Sequence, residues 1–172
     1  AHKIRKAMAD RDARYSLAGL ILLEDSFFKR KRWHLERGID RSRMVLCAVA
    51  LYRGQNGNER PGFAHMQIVD NDSHRTIEDF LERLGCGATT DEGQELLASI
   101  LANGWRSCEE AVRENFKIIL RNPKAEGRLM PWVLRVISNA KAVISGAHRG
   151  VSDKHLQAYL SEICYRFNRR FW

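Results

Sequence analysis

The sequence of 172 residues lacks several features that define common classes of protein. It has no closely spaced pair of cysteines, because Cys47, Cys86, Cys108 and Cys164 lie far apart, and this argues against a zinc knuckle. The cysteines instead predict small core residues in a reducing, cytoplasmic setting. No apolar run approaches the roughly 20 residues that cross a bilayer. The 44 % hydrophobic content, with charges interspersed, indicates a globular domain with its own core.

Acidic residues are scarce in the last third of the chain. From Arg113 onward lysines and arginines clearly outnumber aspartates and glutamates, and the whole chain has a formal net charge of +8 and a pI near 9.6. This bias favours a polyanionic partner, of which nucleic acid is the commonest. A solvated basic surface explains the same composition, so charge alone leaves both interpretations open.

Three apolar segments in the first half of the chain predict three sequential strands, at Leu17–Leu23, Met44–Tyr52 and Phe63–Val69. The loop "RGQNGNERPG" between the last two is rich in turn residues and favours antiparallel neighbours. A helix then begins near Asp72 or Ser73, because either side chain can accept hydrogen bonds from its first amides.

The second half predicts a short fourth strand at "GATT", helical stretches over residues 92–101 and 108–120, and two final helices over residues 132–145 and 152–167. The resulting β-β-β-α-β-α-α order predicts an α/β, RNase H-like fold: a mixed sheet with three leading antiparallel strands and helices packed on it. In that fold, acids on the first and fourth strands and on a later helix meet around two metal ions.

Four stretches together resemble the catalytic domain of bacterial insertion-sequence DDE transposases, in the branch related to Merlin elements (the ISXO2-like transposase domain). They are "MADRDARYSLAGLILLEDSFF", "NGWRSCEEA", "LMPWVLRVISNAKAVISGAHRGVS" and "KHLQAYLSEICYRFNRRFW". The resemblance implies that residues 1–14 are the end of a truncated N-terminal helix-turn-helix region. Residues 15–172 then form the RNase H-like catalytic domain.

The resemblance also implies a function. We expect an enzyme that cuts and rejoins transposon ends by metal-dependent phosphoryl transfer, with Mg²⁺ or Mn²⁺ as cofactor and DNA as partner. A homodimer in a synaptic complex is expected on the same ground. One alternative is a degenerate or co-opted copy that keeps the fold and DNA binding without catalysis. Another is an RNase H-like nuclease that acts on RNA or hybrids.

The first two acidic positions of the family map onto this sequence with departures. Glu24 matches the first catalytic aspartate, and Asp25 stands in the second acidic place of that motif. For the second catalytic aspartate, Asp91 is the candidate by strand position and Asn103 by the motif before "GW". We expect Glu24, Asp25 and Asp91 as metal ligands, since hard divalent cations prefer oxygen. As turn or cap residues, Asp91 and Asn103 need no catalytic role.

The third position lies on the helix that begins near Trp132. Lys141 matches the family's lysine, which addresses a phosphate, and the ligand position seven residues earlier is occupied by Leu134. A separation of seven residues is two helical turns, so both side chains share a face. DNA contacts are expected from a basic loop and a basic C-terminal segment: Lys29, Arg30, Lys31, Arg32, Arg166, Arg169 and Arg170.

Overall fold

A computed structural model describes residues 2–17, 19–28, 42–53, 59–85, 98–102, 117–118, 131–147 and 151–170. Helix α1 (His2–Asp12) comes first, as "AHKIRKAMADRD" predicts. In chain order the further elements are β1 (Gly19–Phe28), β2 (Arg43–Arg53), β3 (Glu59–Val69), α2 (His74–Arg83), β4 (Ala98–Ala102), β5 (Lys117–Ile118), α3 (Pro131–Ala142) and α4 (Asp153–Asn168). A π-helical turn at Val143–Ala147 extends α3.

The strands of the described residues form one mixed sheet in the order β3-β2-β1-β4-β5. β1 pairs with β2 and β2 with β3 in antiparallel fashion, whereas β4 runs parallel to β1 and β5 parallel to β4. The predicted α/β class and the three leading antiparallel strands are therefore confirmed.

Helices cover both faces of this sheet. On one face Leu22, Cys47 and Met66 pack with apolar residues of α3 and α4. On the other face Ile21 and Leu23 pack against α2. Successive side chains of a strand point to opposite faces, so a strand that is buried on both faces needs apolar residues at nearly every position. This explains the almost uninterrupted apolar runs of β1 and β2.

Helix α2 has clear signals at both ends. Ser73 precedes it with an extended backbone, and the Ser73 hydroxyl accepts a hydrogen bond from the Thr76 amide. Of the two predicted caps, Ser73 is therefore the one that the structure uses. Gly85 follows the last turn with φ of +68°, a left-handed conformation that glycine adopts without steric strain at the end of a helix.

Side chains of α4 cover the outer edge of β3. The Gln157 amide donates to the Met66 carbonyl (2.9 Å) and accepts from the Ile68 amide (2.8 Å). The Asn168 amide accepts from the Ala64 amide (2.7 Å) and donates to the Ala64 carbonyl (3.1 Å). These two side chains replace part of a neighbouring strand, so β3 does not present these groups for pairing with another chain.

Helix α1 is fixed to the same part of α4. Asp12 is buried, and its carboxylate accepts from Asn168 (2.9 Å) and from the Arg169 guanidinium (2.7 Å). Two turns before Asp12 on α1, Arg5 pairs with Glu162 of α4 at 2.6 Å. In this structure α1 therefore packs on the α/β domain, while its assignment to a separate helix-turn-helix region stays a prediction.

Two helical predictions are wrong where the structure describes the chain. Ala98–Ala102 is strand β4 and Lys117–Ile118 is strand β5, both within stretches that we expected to be helical. Periodicity does not separate a helix from a strand in a short apolar segment such as "ASILA", and the parallel pairing with β1 is not visible in the sequence. The strand predicted at "GATT" lies outside the described residues. None of the described helices combines the length and apolarity needed to cross a membrane.

Candidate functional site

Glu24 lies within β1, and its side chain belongs to the face covered by α3 and α4, the face of Leu22 and Phe28. The carboxylate is half-buried, and its Oε2 atom is shielded from solvent. Asp25 follows on the opposite face, that of Leu23 and α2. The two carboxylates therefore leave the sheet in opposite directions, and the strand geometry does not bring them together on one ion.

Cys47 is the cross-strand neighbour of Glu24 in the β1–β2 pair. It is fully buried, and this burial raises the pKa of the Cys47 thiol well above its usual value, with nearby Cys164 and Glu24 raising it further. The environment thus keeps Cys47 protonated and unreactive, which fits its predicted role as a core residue. Its place beside Glu24 was not predicted, because it depends on the strand register.

Lys141 approaches the far end of β1. Its Nζ atom lies 5.6 Å from the centroid of the Phe28 ring. Phe28 is four residues beyond Glu24 on the same face, a separation of roughly 13 Å along a strand. Lys141 therefore places a positive charge beyond Glu24 on this side of the sheet, where it can meet a phosphate of a longer polyanion.

Leu134 lies two turns before Lys141 on α3, and 47 % of its surface is exposed. The buried residues of this helix are Val133, Val136, Ile137 and Ala140. An aliphatic side chain offers no lone pair to a metal or a proton. The residue that the motif predicts at the third ligand position is therefore a solvent-exposed apolar group in this chain.

The strand that bears on the second acidic position is β4. It runs parallel to β1, and its last residue, Ala102, pairs with Leu23. Asn103 follows Ala102 directly in the chain, whereas Asp91 precedes the strand by several residues. Both candidates lie outside the described residues, as does the predicted DNA-binding segment from Lys29 to Arg32.

The three C-terminal arginines, which we expect to contact DNA, lie in different environments. Arg166 is exposed and pairs with Glu162 at 2.7 Å within α4. Arg169 instead pairs with buried Asp12, and Arg170 donates to the Pro61 and Gly62 carbonyls of β3. Arg169 and Arg170 therefore point toward the domain rather than outward, because acceptors on α1 and at the edge of β3 lie close to them. Their contact with DNA stays a prediction.

The described residues contain no group of three or more histidine, cysteine, aspartate or glutamate side chains arranged to hold a metal ion. Glu24 is the one predicted ligand that they place on the α3 side of the sheet. Two residues with a clear structural role, Asn168 and Asp12, were missed by sequence reasoning. The only signal for Asn168 is a polar residue with low helix propensity inside the last turn of a helix.

Comparison with known proteins gives one family. The family model described as ISXO2-like transposase domain matches residues 16–168, which is most of the chain and includes β1 through α4. No curated protein matches the chain.

Proposed function

The chain belongs to the ISXO2-like transposase domain family, and on that premise we propose that it is an RNase H-like catalytic domain that cuts and rejoins DNA at transposon ends. The observation that carries the proposal is the sheet order β3-β2-β1-β4-β5 with β1 and β4 adjacent and parallel. In this arrangement Glu24 directly follows Leu23, the last residue of β1 that pairs with β4, so the first predicted acidic position lies beside the end of β4.

For the second acidic position we propose Asn103. Ala102 pairs with Leu23, Asn103 is the next residue in the chain after Ala102, and Glu24 is the next after Leu23. Consecutive Cα atoms are about 3.8 Å apart and neighbouring strands about 4.8 Å apart, so this short chain separation supports Asn103 as the residue that acts with Glu24. Asp91 has no comparable support, because the strand argument for it depended on a strand at "GATT".

The family implies a divalent cation, Mg²⁺ or Mn²⁺, and the described residues fit such an ion only in part. Glu24 supplies one carboxylate on a rigid strand, and Asn103 or Asp91 would add an oxygen ligand. When bound, the ion activates an attacking hydroxyl and stabilises the leaving oxygen at phosphorus. Leu134 adds nothing to that set, and Lys141 contributes a charge that can position a phosphate.

The DNA partner is supported by the family and by the basic composition of the chain. Lysines and arginines number 29 against 21 aspartates and glutamates. DNA binding would release counterions from the phosphates, so affinity is expected to fall steeply with salt. A homodimer acting on paired transposon ends is proposed from the family alone, and a cytoplasmic location is proposed from the cysteines, which we expect in a reducing setting.

A second candidate function is a copy that binds DNA without catalysis. Exposed, aliphatic Leu134 at the third ligand position favours it. The neutral side chain of Asn103 at the second position favours it as well, because a carbonyl oxygen holds a divalent cation less strongly than a carboxylate does.

An end-cleavage and strand-transfer assay with Mn²⁺ or Mg²⁺, on DNA carrying the terminal inverted repeats of the element, separates the two functions. If the domain is catalytic, we expect Glu24→Gln to lower the rate by at least on the order of 10²-fold. Asp25→Asn is the matched variant, and we expect it to retain activity because Asp25 faces the other side of the sheet. Inactivity of the native chain with intact DNA binding, and recovery on combining Glu24→Asp, Asn103→Asp and Leu134→Glu, would establish the non-catalytic function instead.

A further inference from the structure

A cavity of about 280 Å³ opens between the end of α1, strand β3 and the last turns of α4. It is small compared with typical ligand pockets of about 300–1,000 Å³. Its lining is unusual in consisting of three aromatic rings and two guanidinium groups, from Arg11, Tyr15, Phe63, Tyr165 and Arg169. None of these residues belongs to the predicted metal site around Glu24.

The rings and Arg169 form a stacked arrangement. Tyr15 and Phe63 are nearly parallel, with ring centroids 4.7 Å apart and an angle of 14° between the planes. The Arg169 guanidinium carbon lies 3.6 Å from the centroid of Tyr165 and 5.8 Å from that of Tyr15. Asp12 also holds Arg169 at 2.7 Å, which fixes the guanidinium at one side of this platform. Tyr15 nevertheless remains 40 % exposed, so part of its surface is accessible for a further planar group.

The net positive charge of the cavity comes from Arg11 at its rim. Buried Asp12 offsets the charge of Arg169, whereas Arg11 is exposed at the end of α1. Arg11 and Tyr15 are four residues apart around the end of this helix. Both residues line the same cavity, so a ligand that stacks on Tyr15 shares the cavity with the guanidinium of Arg11, and guanidinium groups match phosphate in geometry and charge.

We propose that this cavity binds an unpaired nucleotide of single-stranded DNA, with the base stacked on Tyr15 and the phosphate paired with Arg11. The inference rests on the proposed function, because DNA is the partner that it supplies. Aromatic platforms combined with a cationic groove are the usual way in which single strands are bound. A base inside a duplex already has both faces stacked, so only an unpaired base offers a face to Tyr15.

The cavity is separate from the predicted catalytic position. Glu24 is in register with Cys47, and Cys47 with Met66. Phe63 lies three residues from Met66 along β3, roughly 10 Å, and β3 is two strand spacings, roughly another 10 Å, from β1. The cavity also lies at the end of the sheet where β1 begins. A nucleotide bound here therefore occupies a different place from the DNA phosphate that we expect to react near Glu24.

The test is the affinity of the full chain for a fluorescent oligo-dT strand of about 12 nucleotides, a length within the range of single-strand binding sites, measured by anisotropy at low salt. We expect Tyr15→Leu to weaken binding roughly 5- to 150-fold, the range of one lost base–aromatic stack. Tyr15→Phe keeps the ring and is expected to bind like the native chain. Arg11→Gln is expected to weaken binding and to reduce the dependence of log K on log salt by about 0.7, as for one phosphate contact.

Lys6→Gln is the matched charge control. It removes one cation from the same helix, at a side chain that is 76 % exposed and paired with Asp10 rather than lining the cavity. Equal losses for Lys6→Gln and Arg11→Gln, or a Tyr15→Leu affinity within twofold of the native value, would overturn the proposal. Absence of single-strand binding together with binding to duplex ends would also overturn it while leaving the proposed function standing. Absence of binding to single strands and to duplex ends alike would overturn both this proposal and the proposed function.

Discussion

Replacing Asn168 with alanine tests whether α4 stabilises the fold by covering the edge of β3. The Asn168 side chain makes three hydrogen bonds, to the Ala64 amide (2.7 Å), the Ala64 carbonyl (3.1 Å) and Asp12 (2.9 Å). Asn168 is buried, and so are Ala64 and Asp12. Asn168→Ala therefore leaves three buried polar groups without this partner.

The expected loss of stability is large for a single polar residue. Each buried group that loses its partner costs about 1–3 kcal/mol, and water reaching the edge of the sheet recovers part of this. We therefore expect the free energy of unfolding to fall by about 3–5 kcal/mol, a substantial part of the roughly 5–15 kcal/mol of a typical domain. With a urea m value of about 2 kcal/mol/M, the midpoint of unfolding falls by about 2 M.

Urea unfolding followed by circular dichroism measures this change, and Arg166→Ala is its control. Arg166 lies two residues earlier on α4 but is 72 % exposed, and its pair with Glu162 is a surface contact within one helix. Such pairs contribute about 0.3–0.5 kcal/mol, so we expect its midpoint to stay close to the native one. A midpoint for Asn168→Ala that matches that of Arg166→Ala would refute the reasoning.

Three further predictions concern other parts of the fold. We expect Gly85→Ala to lower the melting temperature, because φ of +68° strains any side chain and a Cβ would lie 2.4 Å from the Ser16 hydroxyl. Burial lowers the pKa of His65 below 6.5. The unfolded chain therefore binds more protons than the folded chain below about pH 6.5, and the free energy of unfolding falls there. We expect His65→Gln to lose less of its free energy of unfolding than the native chain between about pH 7 and pH 5. Burial raises the pKa of Cys47 well above its usual value and that of Cys164 to about 12, so peptide mapping after a short exposure to a thiol reagent is expected to find both unmodified in the folded protein.

The sequence predicted the elements whose signals are local. β1 and β2 have the apolar content that strands buried on both faces need, β3 has an apolar segment at Phe63–Val69, and α2 has both its capping serine and its terminating glycine. The strand β4 was missed because "ASILA" is short, and its assignment depends on pairing with a strand 79 residues earlier. Long-range pairing of this kind leaves no periodic trace in a single sequence.

The site was predicted less completely for a related reason. The position of Glu24 on a buried strand follows from local pattern, and the family resemblance supplied its role. The partners of the arginines near the C-terminus depend on the elements that pack against α4. Arg169 and Arg166 carry the same charge three residues apart, yet one pairs with a buried acid on α1 and the other faces solvent. Residue type and spacing alone do not distinguish these two environments.

The stretch "YLSEICYRFNRR" belongs to the last of the four stretches that carry the family resemblance, and its contacts in the structure mostly stabilise the fold. Cys164 and Leu160 enter the core, Asn168 covers the edge of β3, and Arg169 fixes α1 through Asp12. Each of these interactions stabilises the fold whether or not a metal ion is bound. Membership in the family therefore argues strongly for the architecture and only weakly for catalysis, for which the family resemblance predicts a different set of positions, among them Glu24 and Leu134. For this reason, substitutions at the predicted ligand positions, rather than in the C-terminal motif, test whether the domain is an active transposase.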